Sequence, residues 1–218
     1  MVRWMVGTAV ALAMVAGVSV VSAEPSTTLY ETDFSEGHGD WEFTDAEVWA
    51  MGEEGGVHYL ELLRNTPTYE PEVRSPRNIA WLKAPVAGSF VLDVQARYTG
   101  RAYGHADLCF FFGKQDPSHF YYVHIATEAD PHANSIFLVN GEPRVSIAAE
   151  TTDGTDWTDG WHNIRIVRDV ESGLIEVYFD DMDTPIMRAE DTTHGAGNIG
   201  VGSFDDAGQF TNIRLYER

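Results

Sequence analysis

No stretch of the chain beyond residue 23 carries a helical hydrophobic period of useful length. Short alternating or apolar runs recur instead, broken by Gly, Pro, Asn and Asp. Apolar residues at every second position suit a half-buried strand, whereas a helix needs them every three to four. Strands are predicted at 28–34, 47–51, 57–63, 79–83, 89–98, 106–113, 119–127, 135–140, 143–148, 161–168, 174–180, 185–189, 197–203 and 211–217. Asn140-Gly141 between two such runs signals a hairpin, because both turn positions favour φ > 0. Ser172-Gly173 marks another turn. Many short strands at regular spacing give an all-β fold, a sandwich or jelly roll of two antiparallel sheets. No repeat, low-complexity tract or linker follows Pro25. The stretch "NTPTYEPEVRSPRN" at 65–78 reads as a long polar loop with three prolines, of the kind that borders binding sites.

The first 23 residues stand apart. "MVRW" carries one positive charge, an uncharged apolar run follows, and Val21-Ser22-Ala23 precedes Glu24-Pro25. This is the pattern of a Sec-type signal peptide cleaved after Ala23; an uncleaved anchor is the alternative. The expected organisation is a signal peptide at 1–23 and one domain at 24–218. That product would be secreted or periplasmic, with no membrane attachment after cleavage. The 218-residue chain has a formal net charge of −20, which repels nucleic acid and anionic lipid. Nucleic acid is therefore not an expected partner. Cys109 is the only cysteine, so no intramolecular disulfide forms. Its place in "DLCFFFG" reads as a buried thiol rather than a nucleophile.

Alternation assigns faces. In "FVLDVQARY", Phe90, Leu92, Val94 and Ala96 face the core, and Asp93, Gln95 and Arg97 face out. In "HFYYVHIA", Tyr121, Val123 and Ile125 face in, and Tyr122, His124 and Ala126 face the other way. In "PRVSI", Val145 and Ile147 face in and Arg144 out; in "WHNIRIVR", His162, Ile164 and Ile166 face in and Asn163 and Arg165 out. If the strands are neighbours, Gln95, Arg97, Tyr122, His124 and Arg144 share one outer, concave face. Such a face suits a polysaccharide or oligosaccharide, and a merely solvated face is the plain alternative. Trp41, Trp49, Trp81, Trp157 and Trp161 offer stacking surfaces. Core packing accounts for most of them, with Trp157 in "TDGTDWTDGW" expected to be exposed.

Three segments carry a family resemblance. "DFSEGHGDWEFTDAEVWAMGEEGGVHYLEL" resembles the opening of concanavalin A-like jelly rolls. "DGWHNIRIVRDVESGLIEVYFDDMDTPIMRAED" resembles the laminin G-like consensus. "GNIGVGSFDDAGQFTNIRLYE", with its Gly-h-Gly, resembles the closing strands of the same superfamily. The resemblance covers residues 28–217 and implies a concanavalin A-like lectin/glucanase sandwich. It is similar in layout to secreted bacterial 3-keto-disaccharide hydrolase-type domains, and also to carbohydrate-binding modules, laminarinase-type glucanases and jelly-roll lyases.

The activities within that superfamily leave different marks. A laminarinase-type site needs two carboxylates on one strand face, and no such run occurs; in "EVYFDD" and "SFDDAG" the carboxylates are adjacent and point to opposite faces. A lyase of this fold often carries Gln-x-His on one strand; here the matching triplet is Tyr122-Val123-His124. Those two residues are the catalytic candidates, with Gln95 and Arg97 able to clamp a uronate. His105, Asp107, His124 and His132 are metal-ligand candidates. Asp33, Asp205 and Asp206 are candidates for structural calcium, which the resemblance places where chain ends meet; turn-forming Asx residues are the alternative. The reading that follows is an exported carbohydrate-binding domain. A polysaccharide-active enzyme using Tyr122 and His124, and an adhesive or structural surface protein, are its alternatives.

Overall fold

The computed structural model describes residues 27–63 and 66–218. The expected signal peptide lies outside these residues. The described strands form two antiparallel sheets. Sheet A contains β1 (Thr27–Thr32), β3 (Trp49–Glu54), β4 (Val57–Leu62), β6 (Phe90–Tyr98), β11 (Glu150–Thr151), β12 (His162–Arg168), β13 (Leu174–Phe179), β14 (Met187–Glu190) and β16 (Gly208–Glu217). Their order is β11-β14-β13-β12-β6-β16-β4-β3, with β1 paired to the far half of β16. Sheet B contains β2 (Trp41–Phe43), β5 (Asn78–Leu82), β7 (Asp107–Asp116), β8 (His119–Ala126), β9 (Ser135–Asn140), β10 (Val145–Ser146) and β15 (Asn198–Ser203), in the order β10-β9-β8-β7-β15-β5-β2. This is the two-sheet sandwich expected from the alternation.

The inner faces meet in one apolar core. Phe90, Leu92, Val94 and Ala96 of β6 face Tyr121, Val123 and Ile125 of β8 and Leu108, Phe110 and Phe112 of β7. Rings interlock across the sheets, as in Phe90–Phe112 at 5.8 Å and Phe110–Phe210 at 6.2 Å. Burial of each large side chain stabilises the fold by about 1.5–3 kcal/mol, and edge-on ring contacts add to it.

Sheet B is unusual in burying its other face as well. Ile79, Trp81, Cys109, Phe111, Phe120, Tyr122, Phe137 and Val139 form a second apolar cluster there, with Val73 packed on it. The cover is the long loop anticipated at 65–78, described from residue 66. Asp45 anchors the start of this loop by accepting from Thr68 N at 2.6 Å and Thr68 Oγ1 at 2.8 Å. Thr44 Oγ1 donates to Arg77 O at 2.7 Å and holds its end, and Arg144 N donates to Arg74 O at 3.1 Å. Strands buried on both faces read as continuous apolar runs, which accounts for "DLCFFFG".

Local departures have local causes. Residues 46–48 form a 3-10 turn instead of the start of a strand, because Asp45 Oδ1 caps Glu47 N at 3.1 Å. β2 and β11 are too short for alternation to register. The Asn140-Gly141 hairpin forms, but only Gly141 has positive φ and the connection runs to Arg144. β10 is consequently a two-residue edge strand, and Val145, expected inside, is 53% exposed.

Candidate functional site

The outer face of sheet A is open and polar. Register places Asn163 of β12 opposite Gln95 of β6, and Gln95 opposite Thr211 of β16. A bulge in β16 between Thr211 and Arg214 turns Asn212 onto the same face, with φ 47. A left-handed backbone is tolerated by Asn better than by most residues, and bulges commonly re-aim a side chain. The three amides form a chain: Asn212 Nδ2 donates to Gln95 Oε1 at 2.6 Å, and Gln95 Nε2 donates to Asn163 Oδ1 at 3.0 Å. Arg165 forks onto Asp93 at 2.7 and 2.8 Å. Asp180, also left-handed at φ 58, holds Asn163 N at 2.8 Å and His162 Nδ1 at 2.7 Å.

These side chains line a cleft of about 320 Å³ with Met182 and Arg214. Asn212 and Arg214 also line the neighbouring cleft of about 710 Å³, which continues along Glu31, Asp33, Glu36 and Asp40. The two form one groove. Its walls carry more carboxylates than guanidinium groups, and Arg165 is already neutralised by Asp93. Beyond Gln95, Arg97 donates to Glu54 and Gln209 and lies 5.0 Å over the Trp161 ring.

The sequence candidates therefore divide. Gln95 and Arg97 lie on the outer face of sheet A. Tyr122, His124 and Arg144 lie on the outer side of sheet B. The shared face expected from alternation does not form, because parity tells which way a residue points along its strand and not which sheet that strand joins. Tyr122 and His124 do point away from the inter-sheet core, but they are 0% and 4% exposed under the loop cover. Their expected exposure is overturned by Arg144, whose guanidinium lies 4.4 Å over Phe204 and 4.7 Å over Phe137 while Nη1 donates to Tyr122 OH. Burial pushes the Tyr122 phenol well above its usual range. Trp157 is half-buried rather than freely exposed: its Nε1 donates to Ile125 O at 3.2 Å and its ring packs on Tyr98 and Phe179.

Under that cover a compact polar cluster sits where β7 begins and β8 and β15 end. Asp107 is buried, and its Oδ2 accepts from Phe204 N at 3.0 Å, Ser203 Oγ at 3.2 Å and Cys109 Sγ at 3.2 Å. His124 Nε2 stands 3.3 Å from the same oxygen as an ion pair, and this buried nitrogen makes no hydrogen bond. Desolvation works to raise the Asp107 pKa, but the adjacent His124 and the donated hydrogen bonds outweigh it and hold it low. Burial pushes the Cys109 thiol well up.

Asp205 and Asp206 join Asp107, with one carboxylate oxygen from each within 4.8 Å of the others. Asp33 does not belong to this cluster: it accepts from Ser35 N at 2.9 Å and Ser35 Oγ at 2.6 Å and lines the groove of sheet A. The expected calcium trio thus does not assemble, and Asp107 stands in its third place. His105 pairs with Asp130 at 2.8 Å instead of joining Asp107 and His124, and His132 is exposed and offers its backbone carbonyl to Arg144.

The crowding has a measurable sign. Asp206 is pushed up to about 6, by burial first and then by Asp107 and Asp205, against the hydrogen bonds it accepts from Tyr103 OH and Asp107 N. A carboxylate whose folded pKa exceeds its unfolded value of about 3.9 binds more protons when folded, so stability falls as pH rises from about 4 to 6. Asp206→Asn keeps an acceptor for both donors and removes the charge. In chelator-treated protein it is expected to raise the melting temperature at pH 7 and leave it nearly unchanged at pH 4. The upper bound at pH 7 is about 3 kcal/mol. Equal effects at both pH values would show that the carboxylate is not strained.

No protein-family model matches this chain, and no curated protein sequence matches it. Solved structures do. A carbohydrate-binding module, CBM66, from Bacillus subtilis aligns with a TM-score of 0.57 at 13% identity, covering 82% of this chain and 96% of that one. Domain 4 of AbnA, an extracellular GH43 arabinanase from Geobacillus stearothermophilus solved in complex with arabinotriose, aligns with a TM-score of 0.54 at 14% identity, covering 89% and 94%. The GH43 protein BlXynB from Bacillus licheniformis, as its K247S mutant, gives 0.61 at 14%; the match takes in 86% of this chain but only 39% of that one. The architecture these structures share with this chain is a two-sheet antiparallel β-sandwich. At these identities the likeness defines the fold. Among the described residues, no helix is long and apolar enough to cross a membrane.

Proposed function

We propose that the protein is an exported carbohydrate-binding domain whose ligand lies in the groove on the outer face of sheet A. The observation that carries this reading is the amide chain Asn163–Gln95–Asn212 set in an open groove between Asp93, Asp180, Arg165 and Arg214. Amides, carboxylates and guanidinium groups fixed on strands are the donors and acceptors that a ring of sugar hydroxyls requires. The carbohydrate-binding module and the arabinotriose-bound domain among the structural neighbours support the same class, and the pattern of residues 1–23 supports export. The acidic walls favour a neutral glycan over a polyuronate. Catalysis by Tyr122 and His124 is disfavoured, since a polymer would have to displace Arg144 and the covering loop to reach them.

Calorimetric titration with neutral arabino-, xylo-, fructo- and gluco-oligosaccharides tests this. One of these series should bind and polyuronates should not, and no new reducing end or unsaturated product should form. Gln95→Ala should weaken binding about tenfold, the equivalent of one or two lost hydrogen bonds. Tyr122→Phe should leave affinity unchanged. Affinity that ignores Gln95 and follows Tyr122 would move the site to sheet B.

A further inference from the structure

We propose that Asp107, Cys109 and His124 form a binding site for a zinc-class divalent cation, separate from the glycan groove. Cys109 and His124 are directly opposite each other on β7 and β8, and Asp107 lies two residues from Cys109 on the same face. All three are buried on rigid strands, and one ligand atom from each falls within 4.8 Å of the others. Asp107 Oδ2 is 3.2 Å from Cys109 Sγ and 3.3 Å from His124 Nε2. Metal–ligand bonds of about 2.0–2.3 Å in a tetrahedron place neighbouring ligand atoms about 3.3–3.7 Å apart, so these two edges are nearly formed.

The independent sign is His124. Its Nε2 is buried and stands 3.3 Å from Asp107 Oδ2 as an ion pair without a hydrogen bond, and a native protein seldom leaves a buried nitrogen without one. The mixture of sulfur, nitrogen and oxygen donors selects a borderline cation over calcium, which takes oxygens. Three protein ligands leave a fourth position for water, and exposed Asp205, grouped with Asp107, lies on the solvent side of the cluster. Binding releases the Cys109 thiol proton to solvent and shifts the imidazole proton from Nε2 to Nδ1. That nitrogen now faces Arg144 Nη1 at 3.4 Å, the longest polar contact of that guanidinium. The contact is given up on binding, and Arg144 keeps its bonds to Tyr122 OH and His132 O.

Titration of the chelator-treated full chain with Co²⁺ tests the site. One equivalent should produce a thiolate-to-cobalt charge-transfer band, which one equivalent of Zn²⁺ should erase. Cys109→Ser preserves the hydrogen bond to Asp107 and should abolish the band while the metal-free melting curve is retained. His124→Gln should weaken Zn²⁺ binding by more than about a hundredfold. Zn²⁺ at a hundredfold excess over its Kd should raise the melting temperature by about 5–11 °C. Absence of the band in the wild type, its persistence in Cys109→Ser, or stabilisation by Ca²⁺ and not by Zn²⁺ would overturn the proposal. Glycan binding is read separately, so failure here leaves the groove untouched.

Discussion

Arg168→Met is expected to destabilise the fold by about 3–5 kcal/mol, the cost of removing one partner from a buried charged network. Arg168 is 1% exposed at the inner end of β12. Its Nη1 donates to Gly173 O at 2.7 Å, its Nη2 donates to His194 O at 3.1 Å, and its guanidinium lies 5.1 Å over the Tyr121 ring. Gly173 belongs to the β12–β13 hairpin of sheet A, Tyr121 to β8 of sheet B, and His194 to the crossing from β14 to β15. One side chain therefore ties together three elements at the end of the sandwich. Tyr121 OH continues the network to Asp191 and accepts from His194 N at 2.9 Å. Methionine replaces much of the aliphatic stem but leaves His194 O without its side-chain donor and Gly173 O with only the Asp191 N–H at 2.9 Å. For a domain of this size the loss corresponds to about 6–20 °C in melting temperature. Arg168→Lys should recover only part of it, because a single ammonium cannot reproduce the fork. A loss below about 1 kcal/mol for Arg168→Met, measured by urea unfolding with an unchanged m value, would mean that solvent reaches this end of the core.

Arg168 also marks the limit of what the sequence discloses. Alternation in "WHNIRIVR" points it inward with His162, Ile164 and Ile166, yet nothing in residue type suggests an arginine there. Inward sets such as Phe90, Leu92, Val94 and Ala96 were legible because period and hydrophobicity agree. The covered face of sheet B was half legible: Phe111, Phe120 and Phe137 sit at outward positions beside Tyr122, more apolar than a solvated face requires. What remained hidden was non-local. Gln95 was found by parity, but its neighbours Asn163 and Asn212 come from strands far along the chain, and Asn212 reaches the groove only through a bulge. Asp180 and Arg214 lie at a strand end and beyond that bulge, where no period reports them. Tyr122 and His124 drew attention as a pair on one face. Their burial depends on Arg144 and the 66–77 segment, which sequence alone does not lay over them.

The Gly-Val-Gly of β15, one of the features behind the superfamily resemblance, leads to an expected loss larger still. Gly202→Ala should prevent stable assembly of sheet B. A methyl group on Gly202 would stand 1.9 Å from Asn78 O, and one on Gly200 would stand 2.8 Å from Ala80 O and 3.0 Å from the Trp81 ring. An ordinary carbon–oxygen approach is about 3.3 Å or more. At Gly202 the obstacle is main chain within the β15–β5 ladder, where Gly202 pairs with Ile79 and Ser203 with Asn78. No rotamer relieves it, so the two strands must separate. β5 carries β2 beyond it, and separation would strip Trp41, Ala80 and Leu82 from the inner core and Ile79 and Trp81 from the outer cluster. At Gly200 a shift of a few tenths of an ångström and a turn of the indole absorb part of the overlap. Gly200→Ala is thus expected to cost about 1–3 kcal/mol, in the range of ordinary overpacking, and Gly202→Ala more than the upper end of that range. Expressed side by side, Gly200→Ala should be soluble with a lowered melting temperature, and Gly202→Ala should be recovered mainly as insoluble chain. Equal stabilities, or the reverse order, would show that close approach of β5 and β15 is not what these glycines provide.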